Sequence, residues 1–228
     1  MVLIMTKENY RLIEGYMLSC MDNNAHDKEH IYRVLYTALE IAQSEREANA
    51  DILIAACLLH DIGRREQFEN PEICHAKIGA KKAFSFLIAN GFNEEFSTKV
   101  ASCINSHRFR GDNAPDSIEA KILFDADKID ACGTMGIART LYYNSFLGEP
   151  LYNLDEDGNV INGEKDKNAS FFQEYKFKLE KVYSKLYTKK GREIAESRKQ
   201  SAVDFYENML FETTKTYEAR HYLKNCIE

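Results

Sequence analysis

The sequence predicts an all-α protein, and three observations carry that prediction. Apolar residues recur at helical spacing along almost the whole chain, as in Ile31, Val34, Leu35, Ala38, Leu39 and Ile41-Ala42. Prolines number only three, Pro71, Pro115 and Pro150, so long helices can run uninterrupted. The 228 residues are 44% hydrophobic and 29% charged, a balance that supports a packed core and opposes wholesale disorder.

A first helix is expected over about 6–20, carrying Tyr10, Leu12, Ile13 and Tyr16 at helical spacing. A second runs over about 27–45, with Asp27 as its N-cap and His30 three residues on. The third, about 49–61, contains the apolar run Ile52 to Leu59 and stops at Gly63. Residues 64–73 are polar, contain Pro71 and read as a loop. Helices over about 74–89 and 94–107 follow, divided by the stop signal Asn90-Gly91. A loop over 108–116 leads to Ser117, the expected cap of a helix over about 117–130, and another helix covers about 134–146. Residues 147–168 are polar and rich in Gly, Asn and Asp, an excursion with room for a small hairpin at Asp157-Gly158. Long helices over about 169–188 and 190–222 complete the chain. This organisation reads as one domain over 1–228, with a core of about 20–146, the 147–168 excursion and a helical extension over 169–228.

Net charge is −6, with no dense basic run, which disfavours a grip on extended nucleic acid but leaves room for one nucleotide in a locally positive pocket. Six cysteines at 20, 57, 74, 103, 132 and 226 form no C-x-x-C pair, so a reducing compartment without a disulfide framework is expected. The start, Met1-Val2-Leu3-Ile4-Met5, is too short for a signal sequence, and the longest apolar run is eight residues, too short for a bilayer. A soluble cytoplasmic protein follows as the expectation.

The chemistry centres on His60-Asp61, an imidazole and a carboxylate delivered side by side where an apolar helix ends. Adjacent helical residues diverge by only about 100°, so both can reach one ion. A buried Asp is costly unless paired or metal-bound. In isolation the pair could equally be a polar helix terminus. Other candidates follow in order: His30, His75, His107, and Asp127 within Asp125-Ala126-Asp127-Lys128-Ile129-Asp130. Each lies near an end of a different predicted helix, and helix ends in a bundle can converge on one cleft.

The segments His26-Asp27-Lys28-Glu29-His30-Ile31-Tyr32-Arg33-Val34, Leu58-Leu59-His60-Asp61-Ile62-Gly63 and Asp125-Ala126-Asp127-Lys128-Ile129-Asp130-Ala131 resemble the HD-domain superfamily of metal-dependent phosphohydrolases. Gly133-Thr134-Met135-Gly136-Ile137-Ala138-Arg139 and the run from Thr188 to Arg198 resemble a bacterial subgroup with a C-terminal helical extension, which includes nucleotide pyrophosphohydrolases. The resemblance implies an HD-type helical bundle. It implies His30, His60, Asp61 and Asp127 as ligands of a divalent ion, with Asp61 and Lys128 in catalytic roles. His75 and His107 correspond to extra histidines of binuclear relatives, holding a second metal or phosphate. His26, Arg64 and Lys178 become candidates for substrate contact. Arg64 stands where some relatives carry an acidic residue three positions after the HD aspartate, which departs from a shared general-base scheme.

The cofactor implied is one or two divalent ions, Mn, Fe, Mg, Ni, Co or Zn. The substrate implied is a small phosphorylated molecule, above all a nucleotide, with no membrane partner and a homodimer as an admissible assembly. The competing readings are a di-iron oxygenase built on the same His/Asp set and a non-catalytic nucleotide-binding regulatory module. Asp125 and Asp130 are expected to be solvated or paired with Lys. Arg33 is expected in a structural ion pair, His221 at the surface, and Tyr142-Tyr143 and Phe171-Phe172 in the core.

Overall fold

A computed structural model describes residues 5–21, 28–108 and 113–227. The architecture is all-α. Among the described residues the one β feature is an isolated antiparallel bridge between Leu154 and Val160. Helices run in the order α1 (Lys7–Ser19), α2 (Lys28–Ala42), α3 (Ala50–Leu59), α4 (Arg64–Glu69), α5 (His75–Ala89), α6 (Glu94–Ser106), α7 (Ile118–Ile129), α8 (Gly133–Leu147), α9 (Phe171–Phe177), α10 (Lys189–Glu218) and α11 (His221–Ile227), with a 3-10 turn at Leu179–Ser184 before α10. No helix among the described residues is long and apolar enough to cross a membrane. The chain forms two compact units, Met1–Asp130 with Leu186–Gly191, and Ala131–Lys185 with Arg192–Glu228.

The first unit is built around α3. Its sequence, ADILIAACLL, is apolar on every side, and Leu53, Ala55, Ala56, Cys57, Leu58 and Leu59 are fully buried. A helix without a polar face must sit in a core, and α3 packs against α1, α2, α6 and α7. Local signals set the helix starts. Asn49 Oδ1 accepts from the Asp51 and Ile52 N–H groups at the head of α3. Asn93 caps α6 through Phe96 N, and Ser117 caps α7 through Ala120 N, the second as expected. Helix α5 stops at Asn90, and Gly91 follows at φ 83°, the left-handed stop that Asn-Gly signals. The cap expected at Asp27 lies outside the described residues.

The segment 64–73 is not all loop. Residues Arg64–Glu69 continue as the short helix α4, and the chain opens at Asn70, just ahead of Pro71. A proline disfavours helix in the residue before it, so it ends this helix rather than preventing it. The helix expected over 169–188 is likewise shorter. It divides at Lys178 (φ −127°) into α9 and the 3-10 turn.

The second unit packs an aromatic core, with Phe171, Phe172, Tyr175 and Tyr206 around Ile137, Leu179 and Ala202. Tyr175 and Tyr206 stack at 4.1 Å, and the Tyr206 hydroxyl donates to Asn162 O at 2.6 Å. Phe171 and Phe172 therefore are core residues. Tyr142 and Tyr143 are not: they are 76% and 55% exposed, because α8 buries its Gly136, Ile137 and Asn144 side instead. At the expected hairpin Gly158 takes φ 76° and Asp155 N bonds Asn159 O, but pairing stops at the single bridge.

Candidate metal centre

Five helix ends or helix-end turns of the first unit carry the chemistry. His30 lies in the first turn of α2, and His60 is the C-cap of α3, with Asp61 next in the following turn. His75 opens α5, His107 is the C-cap of α6, and Asp127 sits in the last turn of α7. The histidines and Asp61 are buried. Gly63 lets two of these ends meet. A Cβ there would fall onto the His75 carbonyl and 2.8 Å from Gly79 N. Only a bare α-carbon lets the first turn of α5 lie against the segment that follows His60-Asp61.

The donors form two trios, His30, His60 and Asp127, then Asp61, His75 and His107, each with ligand atoms within 4.8 Å of one another. Asp61 joins them. Its Oδ2 lies 3.7 Å from both His30 Nε2 and His60 Nε2. Its Oδ1 lies 3.4 Å from His75 Nε2 and 3.6 Å from His107 Nε2. Asp127 Oδ1 is 3.4 Å from His30 Nε2, while its Oδ2 accepts from Lys128 Nζ at 2.8 Å.

All four rings are held by the opposite nitrogen. Nδ1 of His60 faces Cys57 O at 2.7 Å, and that of His107 faces Ile104 O at 2.6 Å. His75 Nδ1 faces Gln67 Oε1 at 2.6 Å, and His30 Nδ1 faces Asp130 Oδ2 at 2.7 Å. Every one of these partners is an oxygen acceptor, so Nδ1 carries the proton in each ring. In a neutral ring that leaves the Nε2 lone pair pointing at the shared space. Burial, followed by the pull of neighbouring groups, sets the charge states. Burial lowers His60 to about 4 and His75 to about 2, so both are neutral at pH 7. Burial pushes the Asp61 carboxyl up, but the neighbouring Arg64 guanidinium leads the groups that hold it well below the usual range. Burial acts on Asp127 in the same way and is outweighed by Lys128 and His30.

The Nε2 atoms of His75 and His107 lie 3.2 Å apart, and those of His60 and His30 3.4 Å apart, so each pair converges on one space. The donor set therefore fits divalent metal, with nitrogen and carboxylate oxygen ligands and each imidazole backed by an acceptor.

Asp130 and Asp125 are buried, not solvated. Asp130 is 3% exposed, supports His30, and takes a two-pronged ion pair from Arg33 at 2.7 and 3.1 Å. It lies three residues after Asp127, so one face of α7 presents both carboxylates. That spacing was the available signal for its role. Asp125 is fully buried and accepts from Tyr187 N, Thr188 N and Thr188 Oγ1, fixing the entry to α10. Arg64 donates to Asp61 Oδ1 at 2.9 Å. Lys178 lies in the second unit, exposed and paired with Glu174 at 2.6 Å. His221 is exposed in α11, and His26 lies outside the described residues.

The HD domain family matches residues 28–132. The Bacillus subtilis protein YpgQ is 29% identical over 192 residues, covering 82% of this chain and 84% of its own length. The crystal structure of YpgQ in complex with ADP has a TM-score of 0.69 at 25% identity, covering 89% of this chain and 97% of that one. A predicted HD-superfamily hydrolase from an uncultured Thermotogales bacterium is 30% identical, with a TM-score of 0.60, covering 89% of this chain and 91% of that one. The family match, together with a relative 30% identical along most of both chains, places this chain in the HD-domain superfamily, among its hydrolases.

Proposed function

We propose that the protein is a metal-dependent phosphohydrolase that releases phosphate or pyrophosphate from a small phosphorylated substrate, a nucleotide above all. One observation carries the reading: the two oxygens of Asp61 face two different pairs of imidazoles, 3.4 to 3.7 Å away. His30, His60, Asp61 and Asp127 would hold one divalent ion, and His75 and His107 would join Asp61 at a second. The four imidazoles favour Mn, Fe, Co, Ni or Zn over Mg. A divalent ion so held lowers the pKa of bound water and polarises a phosphoryl oxygen.

The chain's own residues do the rest. Burial keeps His60 and His75 neutral and ready as donors. Arg64 and Lys128 each pair with a donor carboxylate while their side chains remain 36% and 27% exposed. They reach from the buried oxygens to solvent, where they can offset charge that grows on a phosphoryl group. The crystallised relative bound to ADP supports a nucleotide as substrate. Lys178 keeps its candidacy on the family pattern alone.

The test begins with elemental analysis of protein purified without chelator, then a Mn-supplemented hydrolysis screen over nucleotides and phosphoesters. Metal should copurify, at least one nucleotide should be cleaved, and Asp61→Ala should abolish the cleavage. Undiminished activity in Asp61→Ala removes the proposal. Oxygen uptake with a mixed-valent iron signal would replace it with the oxygenase reading, which full activity in anaerobic buffer excludes.

A further inference from the structure

A cavity of about 190 Å³ opens beside the second donor trio. Its wall includes Gln67, Lys77, Asn105, Arg108 and Asn113, and one carboxylate, the exposed Glu72. Two of these residues reach the metal centre directly. Gln67 Oε1 accepts from His75 Nδ1 at 2.6 Å, and the Arg108 guanidinium lies 3.5 Å from the same nitrogen. Arg108 also follows His107 in sequence, and Lys77 lies two residues after His75. Gln67 and Arg108 thus join the cavity wall to the trio, both lying against the His75 nitrogen that faces away from Asp61.

The lining selects a chemistry. Among the described residues of the lining, two cations and three carboxamides stand against one exposed carboxylate, in a protein whose net charge is −6. The cavity's positive balance is thus local and runs against the molecule as a whole. Lys77 belongs to the first turn of α5, whose positive end adds to the attraction for an anion. Guanidinium and ammonium groups with amide donors suit phosphate oxygens. The volume is generous for one phosphate group and too small for a whole nucleotide, since drug-sized ligands occupy roughly 300 Å³ or more.

We propose that this cavity is the site for the second anionic group of the substrate, with Lys77 and Arg108 holding a phosphate adjacent to the one that reaches the donor trios. The inference rests on the phosphohydrolase reading and sharpens it. It assigns the substrate class as a di- or triphosphate rather than a monoester, and it gives the phosphate chain a direction, away from His30 and Asp127 and past His75.

Two measurements test it. Calorimetric titration of metal-free protein with inorganic pyrophosphate requires no turnover. Pyrophosphate should bind, about tenfold more weakly in Lys77→Gln and in Arg108→Gln, with Lys77→Arg restoring binding. Equal binding in the parent chain and both Gln variants, or none in the parent chain, overturns the proposal. In the metal-loaded enzyme, Lys77→Gln should raise KM for a nucleoside triphosphate about tenfold and leave KM for p-nitrophenyl phosphate unchanged. An equal rise for both substrates also overturns it. Failure of the phosphohydrolase reading looks different: no substrate is turned over, yet pyrophosphate binding still depends on Lys77. Lys77 is exposed, so Lys77→Gln stays informative if Arg108→Gln folds poorly.

Discussion

The two donor trios differ in charge and in what holds them. The first contains its own carboxylate, Asp127, shares Asp61 with the second, and has His30 oriented by a third carboxylate, Asp130. The second has only the shared Asp61, its histidines are oriented by an amide and a carbonyl, and two guanidinium groups stand close by, Arg64 on Asp61 and Arg108 near His75. With Lys128 on Asp127 and Arg64 on the shared Asp61, the first trio keeps the extra carboxylate and the second the extra guanidinium, Arg108. A cation is therefore expected to be held more tightly at the first, and an anionic ligand to be better received at the second.

The sharpest way to break this contrast is to remove one donor from each side. Asp127→Ala should cost about 10³-fold in hydrolysis and strip the tighter ion, while His107→Ala should cost nearer 10–100-fold and leave that ion in place. Metal content by mass spectrometry and kcat on the same preparations decide it, and equal losses would erase the distinction. A smaller effect is expected one layer out. Asp130→Asn should weaken metal binding about 10–100-fold in chelator competition, and Gln67→Ala should sit at or below the bottom of that range, because a neutral acceptor polarises its imidazole less.

The smallest effect concerns the metal-stripped protein. His60 has a folded pKa of about 4 against an ordinary value near 6.5, so the fold binds fewer protons than the unfolded chain between those values. Its contribution to stability is complete above about pH 6.5, falls as pH drops, and is fully lost below about 4. His75, lowered to about 2, acts with the same sign. Urea midpoints should decline from pH 7 to pH 4, and added metal should shift them back up. Midpoints independent of pH would contradict neutral buried imidazoles.

Much of the helical frame is legible because its signals are local. Asn93, Ser117 and Asn90-Gly91 set helix ends through their own backbone neighbours, and the apolar run of α3 announces burial without any partner. The donors His30, His60, Asp61, His75 and His107 can be named from residue type and order, Asp127 stands out from Asp125 and Asp130 through the family resemblance, and the structure gathers the six into two trios. Their supports are harder to read. Asp130 meets His30 across 100 residues of sequence, a consequence of α2 packing on α7. The acceptors on Cys57 and Ile104 are backbone carbonyls, which any residue supplies. Asp125 looked like another acid in a polar run, yet three donors from 187–188 converge on it. Helix α4 was hidden by weighing Pro71 against the whole segment rather than against the residues just before it.

Gly63 lies outside both donor trios, yet it governs whether the second can assemble. Any side chain there would lever the head of α5 outward, carrying His75 away from Asp61 while His30, His60 and Asp127 stayed where they are. A single methyl group placed outside both trios would thus dissolve one of them and spare the other.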